Sequence, residues 1–335
     1  MKSGKISVII PAFNRADLIS ETLDSVFRQT MPPYEVIVVD DGSTDGTPDV
    51  VESYGSGVRL MRQENQGAGA ARNHGVSVAS GEYIHFMDSD DLISPNMYAV
   101  QVAGLESQSA AMAYGPWLKT RIDGLTLGAD PVAIQQRPLP ERPGMDRFIM
   151  RGWVTVMQPC LLSKSLLEKV GPYRTDLKPS EDSELLYRIG KSRARMVHTP
   201  ETLLLYRVHP AGQVSIADVG RRSLDWIRFL SSIERHIANS LEPLDAMTRF
   251  QFGCGKISAL ASLNGQSGAE EARFLRSTIR SRTFALEWMT RPWRRLQSSL
   301  RGRRYGGDYG AAFAVGSVTE IQRGEVEKMG FHLAS

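Results

Sequence analysis

The sequence predicts a doubly wound α/β protein, and three observations support this fold class. Short runs rich in β-branched residues alternate with segments of helical periodicity over roughly the first 210 residues. Polar and acidic residues directly follow several of these runs, as they do at the ligand-binding edge of such sheets. The chain has 335 residues, of which 41% are hydrophobic and 23% charged, so it is long and apolar enough to bury a sizeable core.

Five strands are predicted in the first part of the chain. In chain order they are KISVII, YEVIVVD, VRLMRQ, EYIHFMD and AMAYGPWL. A helix between the first two is predicted over RADLISETLDSVFRQT, where apolar residues recur at helical spacing. A second helix is predicted to begin at TPDVVESY with Thr47 as its cap, and a third covers GAARNHGVSVA. A fourth follows Ser94 as N-cap and Pro95 as first helical residue.

The second half begins with a segment rich in Pro and Gly, from Leu118 to Gly144, which we expect to be a mobile loop. A strand and a short helix ending at Gly171 follow, and another helix starts near Ser180. RMVHT and LLLYRVH are predicted strands, and the pattern becomes helical from about Ala217. We therefore expect an α/β domain at residues 1–215 and a mainly helical, Arg-rich region at residues 216–335.

The lack of a recognisable targeting signal and the spacing of the cysteines favour a cytoplasmic protein. The N-terminal run ISVII is too short for a signal peptide, and no stretch is long enough to span a bilayer. Cys160 and Cys254 form no metal-type spacing, which favours a reduced compartment. The net charge of +3 does not indicate nucleic-acid binding.

The charge is unevenly distributed along the chain. Between Glu270 and Tyr305, Arg residues outnumber acidic residues about three to one, and aromatic residues such as Trp288 and Trp293 lie among them. This pattern is typical of peripheral contact with an anionic membrane. A solvated helical face with its aromatic residues packed inward is the alternative interpretation. No nucleic-acid-binding module accompanies it.

A cluster of carboxylates follows the predicted strand in HFMDSDDLISP. Asp88, Asp90 and Asp91 lie within four residues, and unit charges about 4 Å apart repel by roughly 4 kcal/mol near a protein surface. A bound cation would turn this repulsion into binding. A turn that leads into a capped helix is the alternative interpretation.

Two further groups of residues, Pro11 to Arg15 and Asp40 to Ser43, follow predicted strands and are expected at the same edge of the sheet. Asp40 and Asp41 are suited to accept hydrogen bonds from a ribose or a base, although DDGSTDG is also a typical turn sequence. Arg72 follows QGAGA, where small residues allow close approach of an anion at a helix N-terminus. This segment is neither a dinucleotide-binding fingerprint nor a P-loop, and simple packing of small residues also accounts for it.

Two acidic residues and a histidine later in the chain are candidate catalytic or ligand-binding residues. Glu181 and Asp182 begin a predicted helix, where they either interact with the helix dipole or supply a general base. His209 lies before a Pro-Gly turn and is either structural or able to close over a bound phosphate or metal.

Taken in order, SVIIPAFNR, VIVVDDGSTDGT, NQGAGAARNHG, YIHFMDSDD and SEDSELLYRIG resemble glycosyltransferase family 2. The resemblance extends from about residue 5 to residue 210. It implies an inverting transferase with the GT-A fold, a doubly wound mixed sheet, followed here by a C-terminal helical extension.

The resemblance also implies a role for each matching residue. The nucleotide-binding residues would be Pro11, Ala12, Phe13 and Arg15 around the base, Asp41 or Asp40 facing it, Arg72 nearby, Asp88 and Ser89 near the ribose, and His209 near the diphosphate. Asp90 would coordinate Mn²⁺ or Mg²⁺. Asp182 would be the catalytic base, with Glu181 as its usual neighbour.

The family's processive polysaccharide synthases carry transmembrane helices and a QxxRW-like motif, which this sequence lacks. We therefore expect transfer of a single sugar from a nucleotide-sugar, UDP-linked, to a glycan or lipid-linked acceptor. The protein is expected in the cytoplasm, with peripheral contact at the inner face of the plasma membrane. A catalytically silent nucleotide-sugar-binding scaffold for a membrane glycan-assembly complex is the alternative. A related nucleotidyltransferase would require a Gly-rich, Arg-bearing first loop, which residues 11–15 do not supply.

Overall fold

The computed structural model describes residues 4–128, 132–134, 138, 156–177, 181–209 and 318–333. The predicted boundary near residue 215 and the Arg-rich segment lie outside these residues. The strands are β1 (Ile6–Ala12), β2 (Glu35–Asp40), β3 (Arg59–Arg62), β4 (Tyr83–Phe86), β5 (Leu92–Ile93), β6 (Met112–Tyr114), β7 (Trp117–Thr120), β8 (Ile122–Asp123), β9 (Thr126–Leu127), β10 (Val132–Ile134), β11 (Cys160–Ser163), β12 (Met196–His198), β13 (Leu204–Arg207) and β14 (His332–Leu333).

The α-helices alternate with the strands in the first part of the chain. They are α1 (Ile19–Phe27), α2 (Thr47–Glu52), α3 (Ala68–Val78), α4 (Met97–Ser107), α5 (Lys164–Val170), α6 (Glu181–Lys191) and α7 (Glu320–Lys328). None of these described helices is long and apolar enough to cross a bilayer.

Within the described residues, the central sheet has seven strands in the order β3-β2-β1-β4-β11-β6-β12. Strands β1 to β4 are parallel to one another, whereas β11 runs antiparallel between β4 and β6. The predicted doubly wound mixed sheet is therefore confirmed. Because β1 to β4 point the same way, the polar residues that follow β1, β2 and β4 meet at one edge.

Both faces of the sheet are covered, which explains why β1 and β2 are almost continuously apolar. In β1, Ile9 packs in one core cluster with residues of α3, α5 and α6, while its neighbours Val8 and Ile10 pack in the other with α1 and α4. Gly75 of α3 lies so close to the sheet that a Cβ there would be 2.4 Å from Ile9 Cγ2. Small residues in α3 therefore bring this helix, and Arg72 with it, close to the strands.

Two predicted helix caps are wrong. Thr47 is inside α2, where its hydroxyl donates to Asp45 and accepts from the Arg15 amide at 2.7 Å. Helix α4 begins after Asn96, because the Ser94 hydroxyl instead accepts from the Leu203 amide at 3.0 Å. In both cases a long-range hydrogen bond recruits the hydroxyl that local capping would have used.

The sequence AMAYGPWL is two strands, not one. Strands β6 and β7 belong to different sheets and are separated by Gly115 and Pro116. A Cβ on Gly115 would lie 2.0 Å from Thr202 Oγ1, so the chain needs glycine where it turns between the sheets.

The expected mobile loop at residues 118–144 contains strands in its described part, so that prediction is wrong there. The segment contains the end of β7 together with β8, β9 and β10, and most of its other residues lie outside the described part of the chain. A four-stranded sheet has the order β10-β7-β13-β5, and a three-stranded sheet has the order β14-β9-β8. Residues 318–333 join these sheets, since Val326 and Phe331 pack against Leu118 and Leu205.

Candidate active site

The loops after β1 and β4 meet at Asp90. Arg15 Nε donates to Asp90 Oδ2 at 3.1 Å, and His209 Nε2 lies 2.9 Å from the same oxygen. Because His209 follows β13, three segments that are distant in sequence converge on this carboxylate. Phe13 is 43% exposed beside them, whereas Pro11 is buried.

The two aspartates that follow β2 have different surroundings. Asp41 accepts hydrogen bonds from Gln63 Nε2 at 2.7 Å and from the amides of Gln66 and Gly67 at 2.9 and 2.7 Å. Asp40 Oδ1 accepts from the Ser43 amide at 3.2 Å. Asp41 therefore shapes the loop that leads into α3, and Asp40 fixes its own turn.

Asp88 is held from both sides. Its Oδ1 accepts from Arg72 Nη2 at 2.7 Å, and its Oδ2 accepts from Gln158 Nε2. The Asp88 side chain keeps 29% of its surface exposed. Its orientation is therefore fixed while it still faces the open edge of the sheet.

Arg72 connects this edge to the start of α6. It is only 4% exposed, and its Nη1 lies 3.6 Å from both Glu181 Oε1 and Asp182 Oδ1. Burial opposes its charge, but Asp182 and Asp88 outweigh burial and raise the pKa of Arg72. One buried cation thus joins the carboxylate that follows β4 to the acidic pair of α6.

Asp182 and Glu181 are buried acids with incomplete pairing. Burial and Asp88 raise the pKa of Asp182, while Arg72 and the Tyr173 hydroxyl act in the opposite direction. Burial and the neighbouring Asp182 raise the pKa of Glu181 to about 7. Asp182 Oδ1 and Glu181 Oε2 are buried without a hydrogen-bond partner among the described residues.

Tyr173 completes this part of the site. Its ring centroid is 5.2 Å from the Arg72 guanidinium. The side-chain amide of Asn73 fixes the Tyr173 backbone, donating to its carbonyl at 2.9 Å and accepting from its amide at 2.8 Å. Asn73 and Tyr173 therefore hold an aromatic face under the cation.

Three carboxylates could hold a metal ion. Carboxylate oxygens of Asp88, Asp90 and Asp91 all lie within 4.8 Å of one another. Asp91 is 1% exposed, its Oδ1 accepts from the Arg207 amide at 2.9 Å, and its Oδ2 has no partner among the described residues. Burial raises the pKa of Asp91, and Asp90 and Asp88 raise it further. An all-oxygen donor set with one orphaned carboxylate oxygen fits Mn²⁺ or Mg²⁺.

The structure thus brings the predicted residues Arg15, Asp88, Asp90 and His209 into one connected group, and Arg72 extends it to Asp182. Ser89 is buried beside them, with 6% of its surface exposed. Sequence reasoning missed Gln158, Asn73 and Tyr173. No motif surrounds Gln158 in VMQPC, and only the antiparallel placement of β11 beside β4 brings it to Asp88.

Comparisons with known proteins identify related glycosyltransferases. The model of the family described as "Glycosyl transferase family 2" matches residues 7–171. An uncharacterised glycosyltransferase of Rickettsia typhi is 30% identical over 218 residues, which are 64% of this chain and 67% of that protein. The putative glycosyltransferase EpsH of Bacillus subtilis is 29% identical over 62% of each chain, and YibD of Escherichia coli is 41% identical over 29% of each. The chain thus covers less than two thirds of EpsH and of YibD.

Solved structures share the fold. TarS residues 1–349 of S. aureus, in complex with UDP-GlcNAc, align with a TM-score of 0.63 and 21% identity over 84% of this chain and 83% of that one. The mannosyltransferase PcManGT of Pyrobaculum calidifontis, in complex with GDP-Man and Mn²⁺, aligns with a TM-score of 0.54 and 22% identity over 89% and 85%. Sequence matches and fold together show that this chain belongs to glycosyltransferase family 2 and has the GT-A fold.

Proposed function

We propose that the protein is a metal-dependent inverting glycosyltransferase that moves a single sugar from a UDP-linked donor to a glycan or lipid-linked acceptor. One observation carries the proposal: buried Arg72 contacts Asp88 at 2.7 Å and Asp182 at 3.6 Å. A donor-binding carboxylate and a general base are thereby held in one site, as direct displacement requires.

The donor would lie along the edge formed by the loops after β1, β2 and β4. Pro11, Ala12, Phe13 and Arg15 would surround the base beside Asp40 and Asp41, and Asp88 and Ser89 would lie near the ribose. His209, 2.9 Å from Asp90, would approach the diphosphate. The complexes of TarS with UDP-GlcNAc and with UDP support a UDP-linked donor.

Asp90 would hold Mn²⁺ or Mg²⁺, with Asp88 and Asp91 beside it. The ion, when bound, neutralises charge on the departing nucleoside diphosphate. The GDP-Man and Mn²⁺ complex of the mannosyltransferase supports this role for the acidic cluster.

Asp182 would take the proton from the acceptor hydroxyl as that oxygen attacks the anomeric carbon. Attack from the face opposite the leaving diphosphate inverts the anomeric centre. Burial raises the pKa of Asp182, which strengthens it as a base, and Arg72 keeps its charged form accessible.

The test compares Asp182→Asn with Asp176→Asn, an exposed aspartate on the segment before α6. Binding of UDP, GDP and CMP with Mn²⁺ is measured by calorimetry, and transfer from the matching sugar nucleotides by product analysis. We expect Asp182→Asn to bind nucleotide like the unsubstituted protein but to lose transfer by at least about 100-fold, and Asp176→Asn to match the unsubstituted protein in both binding and transfer. Full transfer by Asp182→Asn would refute the assignment of the base. Binding without any transfer by the unsubstituted protein would favour the silent scaffold.

We also propose that the Arg-rich segment between Glu270 and Tyr305 makes peripheral contact with the inner face of the plasma membrane, where a lipid-linked acceptor would lie. Residues 318–333 pack into the described domain, so a truncation that removes them would disturb the fold. Sedimentation with anionic vesicles is therefore compared for the full chain and for a variant with Arg301, Arg303 and Arg304 replaced by Glu. Equal sedimentation of both proteins would refute contact through these residues.

A further inference from the structure

Asp88 is oriented by a hydrogen-bonded chain that begins deep in the core. The Tyr98 hydroxyl of α4 lies 2.9 Å from His85 Nδ1, and His85 Nε2 lies 2.7 Å from the Gln158 carbonyl oxygen. The Gln158 side-chain amide then donates to Asp88. Tyr98 and His85 are fully buried, and Gln158 is 2% exposed.

The direction of each hydrogen bond follows from the chemistry of the groups. A carbonyl oxygen only accepts, so His85 Nε2 carries the proton and Nδ1 of the neutral ring accepts from the Tyr98 hydroxyl. Burial lowers the pKa of His85 to about 4, so the ring stays neutral near pH 7. The backbone at Gln158 is therefore held in one position relative to β4, the strand that leads into Asp88.

An amide is suited to this position because it orients Asp88 without adding charge. Arg72 already supplies the buried cation for Asp88 and for the acidic pair of α6. A second cation in place of Gln158 would cancel negative charge in the cluster of Asp88, Asp90 and Asp91. The amide fixes the carboxylate and leaves that charge available to a metal ion.

We propose that Gln158, held by the Tyr98–His85 pair, is a positioning residue that orients Asp88 for nucleotide–metal binding. This inference rests on the proposed function, because it assumes that Asp88 contacts the nucleotide. Gln158 acts through Asp88 and takes no part in proton transfer.

Gln101 provides a matched control. Its Nε2 donates to the carbonyl of Pro159, the residue after Gln158, at 2.9 Å, and it is fully buried on α4. It supports the same segment from the same helix as Tyr98 but makes no hydrogen bond to Asp88 among the described residues. Its loss perturbs the segment without removing the contact under test.

The experiment measures the affinity for UDP, GDP and CMP, each with Mn²⁺, by calorimetry, and the melting temperature of every variant. We expect Gln158→Met to weaken binding of the preferred nucleotide at least about tenfold, as loss of a hydrogen bond to a charged group predicts. Gln101→Met should leave affinity within about twofold although its melting temperature falls. Tyr98→Phe should weaken binding about threefold, and much less when Gln158 is already Met, because the two act in one chain.

Unchanged affinity in Gln158→Met, or an equal loss in Gln101→Met, would overturn the inference while leaving the proposed function intact. Absence of nucleotide binding by the unsubstituted protein would overturn the proposed function, and this inference with it.

Discussion

Glu181 offers a prediction about stability that follows from its surroundings. Its side chain is 13% exposed. Among the described residues Arg72, at 3.6 Å, is the only cation paired with it, and Asp182 and Asp88 share that cation. Burial, followed by Asp182, raises its pKa from 4.5 to about 7. The folded protein therefore holds this proton more tightly than the unfolded chain does.

The sign of the pH dependence follows directly. Between pH 4.5 and about pH 7 the folded state binds more protons at Glu181, so its contribution to the free energy of unfolding falls as the pH rises. The full pKa difference corresponds to about 3 kcal/mol at pH 8, and about 1 kcal/mol of this penalty is already present at pH 5.

Glu181→Gln removes the titrating group and should remove the penalty. We expect it to increase the free energy of unfolding by about 3 kcal/mol at pH 8 and by about 1 kcal/mol at pH 5, less the few tenths of a kcal/mol that an acid contributes at a helix N-terminus. Urea-induced unfolding, followed by circular dichroism at both pH values, measures the two gains.

Glu184→Gln is the matched control on the same helix. Glu184 is 6% exposed, but it accepts two hydrogen bonds from Arg188 Nε, at 2.9 and 3.0 Å, and one from Nη2 at 2.7 Å. Its replacement should lower stability at pH 8. The reasoning is refuted if Glu181→Gln gives no gain at pH 8, or gives the same gain at both pH values.

Three further predictions concern the metal, the base and the core. Asp90→Asn should raise the Mn²⁺ concentration needed for nucleotide binding at least about tenfold; an unchanged Mn²⁺ titration would exclude Asp90 as a ligand. Burial raises the pKa of Asp182, and Arg72, 3.6 Å from its Oδ1, counteracts this, so Arg72→Met should move the acidic limb of the pH–kcat profile to higher pH, and an unmoved limb would contradict this. Gly75→Ala should lower the free energy of unfolding, measured in urea, by about 1 to 3 kcal/mol, because its Cβ would overlap Ile9 Cγ2; it should cost less in an Ile9→Ala background, which lacks that methyl group, and an equal loss in both backgrounds would contradict this.

Local pattern was enough to predict the elements of the first part of the chain. The apolar runs of β1 and β2 read as strands because both their faces are buried, and α1 has a clear apolar face. Loops after parallel strands share one edge, so the convergence of residues 11–15 and 88–91 followed from strand direction alone. These features depend on side chains close together in sequence.

Features that depend on distant partners were predicted poorly. Thr47 and Ser94 look like caps, but Arg15 and Leu203 recruit their hydroxyls. AMAYGPWL looks like one strand, but its halves pair with different sheets. A capping residue or a strand of three or four residues has too little local free energy to resist such long-range contacts.

The sequence by itself determined the alternation of strands and helices, the family and the carboxylates available for chemistry, since each is encoded in a short stretch of chain. Only the tertiary structure decided that Arg72 joins Asp88 to Asp182, and that Gln158 donates to Asp88 across 70 residues. These contacts arise because β11 enters the sheet antiparallel beside β4, and because α3 packs closely on β1 and β2. Strand order and helix packing are set by the burial of the whole core, which no short stretch of sequence specifies.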